Sequence, residues 1–161
     1  MNELYELADA FLKVCSRHGI LAATAESCTG GMIIAAMTDI PGSSSVVDRG
    51  FITYSNEAKM EMLGVSAATL DAHGAVSRET ALEMATGALA HSNAGIALAV
   101  TGVAGPDGGS AQKPVGLVWF GLARRGQPTI AESHVFENNG RDFIRRETVR
   151  TALNMGLKAL G

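Results

Sequence analysis

Two short runs constrain the fold of this chain more than any other feature. ILAATA (20–25) and GIALAVTG (95–102) are apolar almost throughout, and each runs into a glycine-rich turn. A strand with one face in water alternates apolar and polar residues, whereas a strand covered on both faces does not. The two runs are therefore read as strands buried on both sides, which demands helices above and below the sheet.

The rest of the chain supplies those helices. Leu4, Leu7, Ala8, Phe11, Leu12 and Cys15 recur at helical spacing and predict a helix over about residues 2–18, ended by His18-Gly19. MIIAAMTDI (32–40) reads as an apolar helix that stops before Pro41-Gly42. VVDRGFITY (46–54) is a β-branched and aromatic strand, after which Ser55 caps a helix that carries Lys59 and closes at Gly64. SAATLDAHG (66–74) reads as a short helix, and Ser77 caps the longer one that follows. VGLVWFGLA (115–123) and TIAESHVF (129–136), separated by Arg-Arg-Gly-Gln-Pro, form an antiparallel hairpin. A final helix over about 141–160 places Phe143, Ile144, Val149, Leu153 and Leu157 in its apolar stripe. The predicted fold is α/β: a three-layer α/β/α sandwich with a mostly parallel five-stranded mixed sheet, one strand antiparallel.

At 161 residues, 47% hydrophobic and 18% charged, the chain is expected to be a single soluble domain over 1–161. A net charge of −3 excludes a surface built to coat nucleic acid. The one basic cluster, Arg141, Arg145, Arg146 and Arg150, is interrupted by Asp142 and Glu147; a solvated helix face and a phosphate contact both remain open for it. Cys15 and Cys28 make no disulfide framework, and His18, His73, His91 and His134 stand apart, so neither a metal site nor a cofactor is expected. The N-terminus is amphipathic and acidic rather than leader-like. No run approaches the roughly 18 apolar residues a membrane span needs, so no membrane contact and a cytoplasmic location are expected. The hairpin and last helix offer apolar surface for a homo-oligomer.

In open α/β sheets, ligands sit at the carboxyl ends of strands. The turn AESCTGG (25–31), the end of the 46–54 strand and the turn TGVAGPDGGS (101–110) share that edge and can form one pocket for a phosphorylated small molecule. Neither turn matches the P-loop or the dinucleotide fingerprint. An ordinary tight turn and an anion cradle both stay open for each, with Ser27, Thr29 and Thr101 able to supply hydroxyls. Within PGSSSVVDRGFITYSNEAK, Ser44 and Lys59 suggest a hydroxyl nucleophile and an amine base, with Tyr54 relaying the proton or holding the lysine. A plain serine turn and a solvated lysine are the competing reading. A further alternative moves the nucleophile to Cys28 or Ser27, in a turn where a helix N-terminus would favour a thiolate.

At these residues the chain closely resembles the CinA C-terminal domain family. The stretches TAESCTGGMIIAAMTDIPGSSSVVDRGFITYSNEAKMEMLGV, HGAVS and TGVAGPDGGSAQKPVGLVWF carry the likeness, with the arginine-bearing last helix, over about residues 3–158. That family includes bacterial nicotinamide mononucleotide (NMN) amidohydrolases. The resemblance implies hydrolysis of NMN to nicotinate mononucleotide and ammonia, a step of pyridine nucleotide salvage, by a metal-independent serine and lysine mechanism. It places the nucleophile at Ser44, with Tyr54 and Lys59 beside it. It also implies a substrate pocket lined by Glu26, Ser27, Cys28, Thr29, Gly30 and Gly31, and by Thr101, Gly102, Ala104, Gly105, Gly108 and Gly109. Arg141 or Arg145 would meet the phosphate. The pyridinium needs no buried carboxylate, although Glu26 or Asp48 could face it. Many relatives carry this domain behind a larger one, so a stand-alone deamidase is expected here. A non-catalytic module that binds a pyridine nucleotide is the alternative from another class.

Overall fold

All five residues of strand β1 (Ala22–Glu26) are buried, as are six of the seven in β3 (Ile96–Gly102). In the computed structural model, which describes residues 3–161, these two strands pair in parallel at the centre of the sheet. Strand β2 (Val47–Ile52) pairs in parallel with β1 on one side. On the other side β4 (Leu117–Arg124) runs antiparallel to β3, and β5 (Ile130–Val135) antiparallel to β4. The order is β2-β1-β3-β4-β5, with β4 alone running against the other four.

Helices cover both faces. On one side α1 (Glu3–Arg17), α2 (Met32–Thr38) and α6 (Arg141–Leu160) bury Phe11, Ile33, Met37, Ile144 and Leu153 against Ile96, Leu98, Val100 and Phe120. On the other, α3 (Asn56–Leu63) and α5 (Arg78–Ala90) pack Leu63, Met84, Ala85 and Ala88 on Ala23, Ala25, Ala97 and Ala99, with α4 (Ala67–His73) beside them. The alternation of side chains along a strand explains the division: Ala22 joins the first core, Ala23 and Ala25 the second. The alanines on the second face let α5 lie close to the sheet.

The expected first helix is found as Glu3–Arg17; residue Asn2 lies outside the described residues. Ser55, Ser66 and Ser77 cap α3, α4 and α5, accepting from the N–H groups of Ala58, Thr69 and Thr80. Gly64 closes α3 at φ 73°, the left-handed conformation that glycine adopts without strain. Among the described residues, no helix is long and apolar enough to cross a membrane.

Candidate active site

The α3 side of the sheet's carboxyl edge holds a cavity of about 340 Å³. Three segments converge on it: Ser27 and Cys28 after β1, Tyr54 to Lys59 after β2, and Thr101 to Gly108 from the end of β3, where the chain passes through a cis Gly105–Pro106 bond. Ala75 and Val76, ahead of α5, and Arg141, the first residue of α6, complete the wall.

Lys59 is the centre of this site. It is 1% exposed, and its Nζ donates to the carbonyls of Thr53 at 3.0 Å and Tyr54 at 3.1 Å. Its third neighbour is Ser27 Oγ at 2.9 Å. Desolvation lowers the lysine pKa from its ordinary value, opposed by a smaller attraction from the neighbouring Cys28. A neutral amine has two N–H groups and one lone pair. In that form, with both N–H groups given to the carbonyls, its lone pair would meet the Ser27 hydroxyl; in the structure Nζ donates to Ser27 Oγ, whose own hydroxyl proton is directed to the Tyr54 carbonyl at 3.5 Å.

Ser44 is elsewhere. It lies in a short 3-10 turn (Ser43–Ser45) that precedes β2, whereas Lys59 follows β2, so the strand's length of roughly 20 Å separates them. Its neighbours Ser43 and Ser45 border a different, smaller cavity with Asp9 and Lys13 of α1. The serine that meets the lysine is therefore Ser27, weighed above as an alternative. A signal for it exists in the sequence: Ala23 and Ala25 point toward α3 and α5, and two-residue alternation carries Ser27 to that same side. Ser44, by contrast, stands before its strand, at the amino edge.

Glu26 does not reach the cavity. It is fully buried on the opposite face, where Oε1 accepts from Thr29 Oγ1 at 2.6 Å and Ile33 N at 2.9 Å, and Oε2 from Thr24 Oγ1 at 3.0 Å and Ile34 N at 2.9 Å. The carboxylate thus occupies the N-terminus of α2 and holds the turn from behind. The same contacts withdraw Thr29, which is buried and commits its hydroxyl proton to Glu26. Gly30 and Gly31 shape the turn with φ values of 58° and 108° and stay out of the cavity lining. Asp48 sits at the amino end of β2, bonded to Arg49 and the Asn93 N–H.

Cys28 lines the cavity but is 5% exposed, and burial pushes its thiol up to about 11. The expected stabilisation of a thiolate by α2 fails because Glu26 already fills that helix end. Thr101 also lines the cavity, yet its hydroxyl donates to the Ala75 carbonyl at 2.8 Å and ties β3 to the segment before α5. Gly102, Ala104, Gly105 and Gly108 line the wall, while Gly109 borders a neighbouring depression.

The two arginines separate. Arg145 donates to the carbonyls of Cys28 and Thr29, both at 3.1 Å, and so clamps the turn that carries Ser27. Arg141 faces the cavity, donating to Gly105 O at 2.6 Å and to the Tyr54 hydroxyl at 3.3 Å. Tyr54 is 64% exposed at the mouth, so its carbonyl rather than its hydroxyl holds Lys59. Among the described residues, no group of three His, Cys, Asp or Glu side chains is placed to hold a metal ion.

Comparison with known proteins adds to this geometry. The model of the CinA C-terminal domain matches residues 4–160. The chain is 46% identical over 152 residues to the nicotinamide-nucleotide amidohydrolase PncC of Escherichia coli K12, covering 94% of this chain and 92% of that protein. It is equally identical over 157 residues to PncC of Enterobacter agglomerans, covering 98% and 95%. Among solved structures, the competence/damage inducible protein CihA of Agrobacterium tumefaciens superposes with a TM-score of 0.95 at 52% identity, over 99% of this chain and 96% of that one.

Proposed function

This chain belongs to the CinA C-terminal domain family, and on that premise we propose that it hydrolyses the carboxamide of NMN to nicotinate mononucleotide and ammonia, in pyridine nucleotide salvage. The observation that carries the reading is the buried Lys59 amine 2.9 Å from Ser27 Oγ, on the wall of a cavity large enough for a small ligand. The names of relatives matched over nearly their whole length support the substrate.

The residues then take these roles. Neutral Lys59 accepts the Ser27 proton as Oγ attacks the carboxamide carbon, giving a tetrahedral oxyanion. The backbone from Gly102 to Gly105 lines the same cavity; the Val103 N–H is already given to Leu117 O, so the N–H groups of its neighbours there are the source of donors for that oxygen. Lys59 passes its proton to the departing nitrogen, the C–N bond breaks, and ammonia leaves an acyl ester on Ser27. Water, deprotonated by the same amine, cleaves the ester and restores the hydroxyl. Arg141 at the mouth pairs with the substrate phosphate.

Incubating the purified protein with NMN should release ammonia and nicotinate mononucleotide in equal amounts. Binding of NMN without ammonia would contradict hydrolysis and favour a non-catalytic binding module.

A further inference from the structure

The outer edge of β5 is guarded only by the exposed Glu132–His134 pair. Natural sheets blunt a free edge with lysine, proline, a bulge or a covering element. β2, at the opposite edge, does so: its register with β1 slips at Ala22/Ala23, and Asp48 and Arg49 put a charge pair there. β5 reads Ile-Ala-Glu-Ser-His-Val, pairs with β4 in unbroken register, and contains neither lysine nor proline. It carries Ile130 (50% exposed) and Val135 (65%), two of the five exposed large hydrophobic side chains among the described residues.

The ladder decides which peptide groups are free. Arg125 N donates to Gly95 O, Val103 N to Leu117 O and Phe136 N to Gly116 O. Odd-numbered residues of β4 thus face β3, and even-numbered ones face β5. By the alternation of an antiparallel pair, Ile130, Glu132 and His134 turn their peptide groups to β4, and Ala131, Ser133 and Val135 turn theirs outward.

We propose that β5 pairs antiparallel with β5 of a second copy of this chain about a two-fold axis at Ser133, joining the two sheets into one. A pairing that keeps each face of the sheet continuous sets even residues against even and odd against odd. Centring it on Glu132 would oppose two carboxylates, and centring it on His134 would oppose two imidazoles. Centring it on Ser133 sets Glu132 against His134, Ala131 against Val135 and Ile130 against Phe136, once on each side of the axis. Ser133 with Ser133 and Ala131 with Val135 are then the hydrogen-bonded pairs. Glu132 with His134 is a non-hydrogen-bonded pair, the kind that brings side chains closest. Glu132 and His134 already lie 3.1 Å apart on one strand, so the dimer gathers four groups of alternating character. The apolar pairs cover Ile130 and Val135.

Cysteine substitution tests both pairing and register. At the axis, two Ser133→Cys residues have Cα atoms about 5.5 Å apart, inside the range a disulfide spans. Two Val135→Cys residues stand about 14 Å apart. The native cysteines are buried and free. Mild oxidation should therefore link Ser133→Cys into dimers on a non-reducing denaturing gel and leave Val135→Cys as single chains. Equal linkage at both positions, or none at position 133, overturns the proposal. In sedimentation the unmodified protein should run as two chains. Ser133→Pro, whose lost N–H points away from β4, should run as one chain with an unchanged circular dichroism spectrum. A single chain for the unmodified protein, or an undiminished dimer for Ser133→Pro, contradicts it.

Discussion

At the scale of single residues, the site is an arrangement of hydrogen-bond supply. Two main-chain carbonyls and one hydroxyl surround the Lys59 amine, and desolvation lowers its hold on a third proton. Lys59 is legible in the sequence, since it falls in the opening turns of a helix that starts near the carboxyl edge; the same reasoning leaves Arg141 and Arg145 undivided, and only their contacts separate them. Glu26 is not legible, because a glutamate in a loop motif looks like a ligand contact until its four donors are seen. The serine requires strand polarity as well as motif: Ser44 precedes β2 and Ser27 follows β1, and only the second position opens onto the carboxyl edge. Arg141 supplies the residue-scale prediction. Replacing it with alanine should raise KM for NMN by about tenfold or more, the loss of one charge-assisted bond, with a smaller effect on kcat. Nicotinamide riboside, which lacks the phosphate, should be turned over equally by both proteins; an equal loss with the riboside would remove the phosphate role.

At the scale of elements, α3 is the part whose placement matters most, because it carries Lys59. Its limits are readable from Ser55 and Gly64, a capping hydroxyl and a left-handed glycine. The strand before it is shorter than its β-branched composition predicts, ending at Ile52 rather than near Tyr54. The reason is local: the carbonyls of Thr53 and Tyr54 accept from Lys59 instead of extending the ladder. What holds α3 against α5 is invisible in composition. Gly87 of α5 lies so close to the Leu63 carbonyl that a Cβ there would collide with backbone. Gly87→Ala should therefore push α3 away, costing about 1–3 kcal/mol of stability and moving Lys59 relative to Ser27. Thermal denaturation and NMN turnover should both decline, whereas an alanine tolerated with unchanged melting and rate would show that the helices have room.

At the scale of the whole molecule, the layered fold is legible because its cause is simple. Strands without alternation require cover on both faces, and the short link between the last two strands forces an antiparallel pair. The assembly of three distant segments into one cavity is less legible, since no local pattern records which turns meet. Burying Lys59 also has a molecular consequence for stability. The unfolded chain keeps that proton to about pH 10.4, while the folded chain releases it at lower pH. Between those values the unfolded state binds more protons, so stability rises with pH through the interval, and the charged amine costs stability below it. Urea denaturation across alkaline pH should show this slope in the native protein and lose it in Lys59→Met; an unchanged slope would mean that Lys59 titrates normally.

The central claim is that Ser27, paired with Lys59, makes the covalent bond to substrate. The most direct measurement is the rate of ammonia release from NMN by Ser27→Ala beside Ser44→Ala, with folding of both checked by circular dichroism. Ser27→Ala should lose at least about a thousandfold in kcat, and Ser44→Ala should stay near the native rate. Activity retained by Ser27→Ala and abolished in a folded Ser44→Ala would contradict the account.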